Sequence, residues 1–164
     1  MKISFLAEHP EFIATLAPEI VKHWRHILTE ETIESRAATL GHHMNRERLP
    51  IGWVAHTESG VLGIASLREH DLPGREDLTP WLGGVFVLPQ VRGQKIGATL
   101  CAAVEAHAKS LQVDTLYLFT LNLQQWYKSM GWELFEPCKW RGHRGDVMCK
   151  QLLPDSSYSP DAAR

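Results

Sequence analysis

The residues best suited to chemistry lie in one run, VFVLPQVRGQKIGA, from Val85 to Ala98. An apolar strand ends at Leu88, Pro89 stops the ladder, and a turn holding Gly93 leads directly into a helix. The first N–H groups of a helix lack intrahelical partners and sit at the positive end of its dipole. Such a turn binds anions, most naturally phosphate or pyrophosphate, and Arg92 and Lys95 add charge beside it. No Gly-Lys-Ser/Thr follows the glycines, so this is not a Walker A loop, and the run holds no GxGxxG. The competing explanation is steric: Gly93 and Gly97 let a strand turn tightly into a packed helix.

Three further groups of residues carry reactive types. Glu69-His70-Asp71 places two carboxylates in one turn, where they would attract a cationic amine or accept its proton through water. A solvated turn explains them as well. His42 and His43, with His23 and His26, lie in N-terminal helical stretches. No HExxH and no cysteine at zinc spacing accompanies them, so no metal is expected. Cys101, Cys138 and Cys149 are odd in number and lack CxxC spacing, which disfavours a disulfide framework. Cys101 falls on an apolar helix stripe and reads as core.

These groups need elements to hold them. Residues 2–7 form a short strand. Over 10–28, Ile13, Leu16, Ile20, Trp24 and Ile27 mark one helix face, with Pro18 kinking it or opening a second piece. A second helix spans 30–45, starting after Thr29. Residues 51–56 and 61–67 read as a hairpin, and 81–88 as a central strand, apolar on both faces. A helix over 96–111, a strand at 116–119, a short helix at 124–130 and strands at 132–135 and 146–152 follow. The basic stretch 139–144 reads as a solvated hairpin turn. The order β-α-α-β-β-β-α-β-α-β-β is a mixed α/β domain over 1–153, not a series of βαβ units. The polar, proline-containing stretch 154–164 is a tail.

Composition narrows the function classes. The chain has 164 residues, 44% of them hydrophobic, enough for one core without staples. A net charge of −2 argues against a sequence-independent nucleic-acid binder. The apolar run 81–88 is too short to span a bilayer, and the N-terminus lacks a continuous signal-type apolar region. A cytoplasmic location with reduced thiols is expected.

The run VRGQKIGATL resembles the acyl-CoA motif of the GNAT N-acetyltransferase superfamily, Arg/Gln-x-x-Gly-x-Gly/Ala followed by a helix. Arg92 stands at its first position and Gly97 at its last, while Lys95 replaces the internal glycine. A second match, TLNLQQWYKSMGW from Thr120 to Trp132, is similar to the family's Asn-x-x-Ala-x-x-Leu-Tyr-x-x-x-Gly-Phe segment. Tyr127, Gly131 and Trp132 are in register; Thr120 stands where the pattern has Asn, and Asn122 is two positions away.

The resemblance implies that acetyl-CoA is co-substrate and that its acetyl group passes directly to an amine in a ternary complex. It implies backbone contacts of Val85, Phe86 and Val87 to pantetheine, and that Arg92, Gly93, Gln94, Lys95, Ile96, Gly97 and Ala98 hold the pyrophosphate. Thr120 and Asn122 would complete the CoA site, and Tyr127 would be the general acid. Glu69, Asp71 and His43 would face the acceptor, a small-molecule or peptide amine. Thr115 falls where some members carry a glutamate base. The protein would be a monomer or homodimer with no nucleic-acid or membrane partner. Two alternatives remain: a CoA-binding sensor without turnover, and a nucleotide-binding regulator.

Overall fold

The computed structural model describes residues 1–155, so most of the expected tail lies outside the described residues. Strand β1 (Lys2–Phe5) is followed by two short 3-10 turns and helix α1 (Ile13–Trp24). The break expected near Pro18 falls earlier, at Phe12, and Pro18 lies inside α1. Helix α2 (Ile33–His42) starts three residues later than its acidic flank suggested. Thr32 and Ser35 form a reciprocal cap there, with Thr32 Oγ1 accepting from the Ser35 N–H and Ser35 Oγ from the Thr32 N–H, both at 3.0 Å.

Strands β2 (Ile51–Thr57), β3 (Gly60–Arg68) and β4 (Trp81–Val87) form an antiparallel meander. Helix α3 (Ile96–Ser110), strand β5 (Thr115–Thr120), helix α4 (Gln124–Ser129) and strands β6 (Glu133–Trp140) and β7 (His143–Gln151) complete the expected order. The last two strands are longer than expected. The 139–144 stretch is mostly strand, because Arg141 and Gly142 alone, with φ of 48° and 79°, make the hairpin turn.

The seven strands among the described residues join one sheet, in the order β1-β2-β3-β4-β5-β7-β6. Its centre is open. The parallel neighbours β4 and β5 share a single register pair, Trp81 with Tyr117, supported by the Tyr117 N–H donating to Pro80 C=O at 3.1 Å. The cause lies in β4. Ser66 pairs with Gly83 and Ile64 with Phe86, so Gly84 and Val85 together oppose Ala65. This is a bulge, with Gly84 at φ 60°. It turns β4 away from β5 and shifts the in–out alternation by one residue, putting Phe86 on the opposite face from Val85 and Val87.

Each sheet face has its own core. On one, Ile96, Leu100, Cys101 and Val104 of α3 pack against Trp53, Ala65, Leu67 and Leu82, with Tyr127 and Trp132 nearby. On the other, Leu16, Ala17, Ile20 and Leu40 of α1 and α2 cover Val54, Ile64 and Phe86. Cys101 is buried, and burial pushes its thiol up to about 12, in keeping with its reading as core. Leu100 is fully enclosed between α3 and the sheet. Leu100→Ala should cost about 2–5 kcal/mol in urea unfolding, through lost transfer energy and the cavity left behind.

Candidate active site

The turn after β4 is shaped as an anion cradle. Gly93 and Lys95 both adopt positive φ, 80° and 61°, and Lys95 is the N-cap of α3. The first helical bond runs from the Thr99 N–H to Lys95 C=O at 3.0 Å. The N–H groups of Ile96, Gly97 and Ala98 therefore precede the ladder and are free of intrahelical partners. Successive N–H groups through such alternating conformations form an anion-binding concavity. Gly97 is also closely packed, since a Cβ there would lie 3.2 Å from the Trp126 ring.

Lys95 thus holds a left-handed conformation that disfavours a β-carbon. Arg92 does not reach over the turn. Its Nε donates to Val87 C=O at 3.0 Å and its guanidinium lies 5.6 Å from the Phe86 ring centroid. The Val87 carbonyl is occupied by the chain itself.

The splay opens into a cleft of about 400 Å³ between α1, α2 and the ends of β4 and β5. Its floor exists because three paired positions are small: Gly52 pairs with Ser66 and Ser66 with Gly83. Polar side chains occupy the space so created. A Cβ on Gly52 would sit 3.2 Å from Leu6 Cβ and 3.4 Å from His43 Cβ, and one on Gly83 would sit 2.9 Å from Asp71 Oδ2. Arg68 crosses Gly84, where any side chain would collide with its guanidinium.

A chain of bonds fixes Arg68. Its Nη1 donates to Asp71 Oδ1 at 2.6 Å, its Nε donates to Ser66 Oγ at 2.8 Å, and Ser66 Oγ donates to Gly83 C=O at 2.9 Å. Deeper on the α2 side, Arg36 Nη2 meets Glu31 Oε1 at 2.6 Å. Among the described residues Glu31 Oε2, Arg36 Nε and His43 Nε2 are buried without a hydrogen-bond partner.

Several expected site residues meet here. Val85, Phe86, Thr120, Asn122, Asp71, His43 and Tyr127 all line the cleft. Tyr127 reaches it from the α3 face, 6% exposed, with Trp126 and Trp132 edge-on to its ring. Burial first, then Cys101 and Asp71 nearby, push its phenol above the ordinary value, which favours the protonated form. Thr120 Oγ1 accepts the Leu123 N–H at 3.1 Å, fixing the turn into α4.

Other expected residues lie elsewhere. Glu69 is 70% exposed on its side chain, facing His70 and away from the cleft. Thr115 bonds Gln151 at the distal end of β5. Arg68, Ser66, Arg36 and Glu31 were not expected. Arg68 follows a strand as an ordinary polar end would, and no spacing signals that it folds back over a glycine.

His43 is 5% exposed. Its Nδ1–H donates to Thr39 C=O at 2.7 Å, which leaves Nε2 as a lone-pair acceptor. Burial, then the charges of Arg68 and Arg36, lower its pKa to about 4 against the carbonyl bond that raises it.

The description "Acetyltransferase (GNAT) domain" fits residues 50–134, more than half of the chain. An aminoglycoside 6'-N-acetyltransferase solved with coenzyme A superposes with TM-score 0.74 at 19% identity, over 96% of this chain and 100% of that one. The ribosomal-protein-alanine N-acetyltransferase of Brucella melitensis gives TM-score 0.72 at 23% identity, over 93% and 100%. The aminoglycoside 6'-N-acetyltransferase of Enterococcus faecium gives 0.72 at 19%, over 96% and 100%. Comparison with curated proteins returns no sequence match. No helix among the described residues is long and apolar enough to cross a membrane.

Two predictions follow from the conformations of Lys95 and His43. Lys95→Gly should be more stable than Lys95→Ala by about 1 kcal/mol in chemical unfolding, because both lose the amine and only alanine keeps the left-handed cost. For His43, the folded pKa near 4 lies below the ordinary 6.5, so protons favour the unfolded chain. Its contribution is intact above the unfolded value and is lost as pH falls toward 4, amounting to roughly 3 kcal/mol. His43→Asn should flatten the fall in urea midpoint between neutral pH and pH 4.5.

Proposed function

Because the chain belongs to the GNAT acetyltransferase family, we propose that it transfers the acetyl group of acetyl-CoA directly to an amine held in the cleft. The observation that carries this is the single-pair junction of β4 and β5 beside a cradle of free N–H groups. An extended chain such as pantetheine can add to an open strand edge by backbone bonding.

Acetyl-CoA, when bound, supplies the acetyl group as a thioester. The cradle of residues 93–98 would hold its pyrophosphate, with Lys95 giving charge and Arg92 braced against Val87. The edge of β4 at Val85 and Phe86 would bond pantetheine, and N–H groups at the bulge would polarise the acyl carbonyl, an oxyanion-type contribution. Thr120 and Asn122 would border the same groove from β5.

Proton handling divides between the two faces. Tyr127 Oη, kept protonated, would donate to the departing sulfur from the α3 side. On the α1–α2 side Asp71 has Oδ1 tied to Arg68, while Oδ2 lies over Gly83 next to the bulge. That oxygen would orient the amine and take its proton on to water. Approach from one face and departure toward the other supply the positioning that an acyl transfer requires. The three free thiols are compatible with a reducing compartment.

Release of CoA thiol from acetyl-CoA in the presence of amines tests this reading. Tyr127→Phe should lower kcat by about a hundredfold or more while CoA affinity is unchanged. An unchanged kcat removes Tyr127 as the acid. CoA binding without transfer to any amine would favour the sensor reading.

A further inference from the structure

The transferase reading leaves the class of amine open, and two features of the same cleft restrict it. The first is charge. The carboxylates that line the cleft, Glu31 and Asp71, are each held by an arginine that lines it too, at 2.6 Å in both pairs. The rim adds cations: Arg92 lies 5.6 Å from the Phe86 ring centroid and Arg141 lies 6.0 Å from that of Trp140. In each pair one oxygen takes the arginine contact, which leaves only Glu31 Oε2 and Asp71 Oδ2, so an acceptor with several ammonium groups would have to desolvate each beside two guanidiniums.

The second feature is aromatic surface. Phe86 touches His23 at 5.5 Å, His23 touches Trp24 at 5.0 Å, Trp24 meets Trp140 edge-on at 5.9 Å, and Trp140 meets Phe119 at 5.6 Å. These five rings come from α1, β4, β5 and β6, so the band crosses the splay from one side of the sheet to the other. Trp24 and Trp140 are only partly buried, which leaves ring surface for a ligand. Flat apolar groups pack on such rings in offset or edge-on geometry.

We infer that the acceptor is a monoamine with a flat, apolar body. Its one amine lies by Asp71 and the bulge, and its body packs along the band of Trp24, Trp140 and Phe119. This rests on the transferase reading and adds the substrate class to it. The chemistry is the transfer already described: the amine nitrogen forms a bond to the acyl carbon, the carbon–sulfur bond breaks, and CoA leaves as its thiol.

The test compares kcat/KM for phenethylamine and tyramine with that for spermidine and kanamycin. CoA thiol release and the mass of the acetylated amine are read, with CoA affinity measured separately by calorimetry. The planar monoamines should exceed the polycations by roughly tenfold or more, and Trp24→Ala and Trp140→Ala should each raise KM for tyramine by about tenfold without altering CoA affinity. Equal or better use of the polycations, or no turnover of either planar monoamine, overturns the inference; acetylation of the polycations in that case leaves the transferase reading standing. Absence of CoA binding overturns the transferase reading itself.

Discussion

One extra residue in β4 is the constraint on which the rest depends. With Gly84 and Val85 both set against Ala65, β4 cannot stay parallel to β5 beyond Trp81. The hydrogen-bonding capacity that would have joined two central strands is left open in the middle of the sheet. An unpaired edge inside a protein is costly unless something completes it. Here it lies between two separately packed faces, with Tyr127 and Asp71 both lining the cleft it opens into. The same bulge needs a residue without a side chain, because the Gly84 backbone is left-handed and Arg68 lies directly over it.

The acceptor side is built by subtraction. Gly52, Ser66 and Gly83 are neighbours across three strands, where larger side chains would have filled the face. The space receives Arg68, Asp71 and His43, and the arginine is fixed by bonds to Asp71 and Ser66. Enclosed polar atoms without partners normally have an explanation in water or ligand. Glu31 Oε2, Arg36 Nε and His43 Nε2 line the cleft itself, so a bound molecule or its solvent would meet them. Two carboxylate–arginine pairs and an aromatic band also line the cleft, and on them rests the proposed distinction between planar monoamines and polycations. That distinction belongs to side chains, and the shared fold does not carry it.

Much of this was legible in the sequence, for identifiable reasons. The element order followed from hydrophobic period and from Pro and Gly punctuation. The turn after β4 followed from a strand meeting a glycine turn and a helix. Whether Lys95, at the position of the motif's glycine, is left-handed was open in the sequence, and the turn's geometry decides it. The start of α2 was missed because Glu30 and Glu31 suit a helix N-terminus, whereas the reciprocal bonds of Thr32 and Ser35 decide it. The final hairpin was shortened because basic residues on exposed strands resemble a solvated turn.

The sequence by itself determined the periodicities, the glycine turn into α3 and the tyrosine segment, because each depends on residues close along the chain. Only the tertiary structure decided that Glu69 faces solvent while Asp71, two residues on, lies over Gly83. It alone decided that Arg68 folds into the cleft, and that Trp24 and Trp140 meet across it. Those outcomes depend on strand register, on the shift introduced by a single bulged residue, and on the packing of elements more than a hundred residues apart. Local spacing carries no record of such contacts, since a one-residue change in pairing exchanges the faces to which every later side chain points.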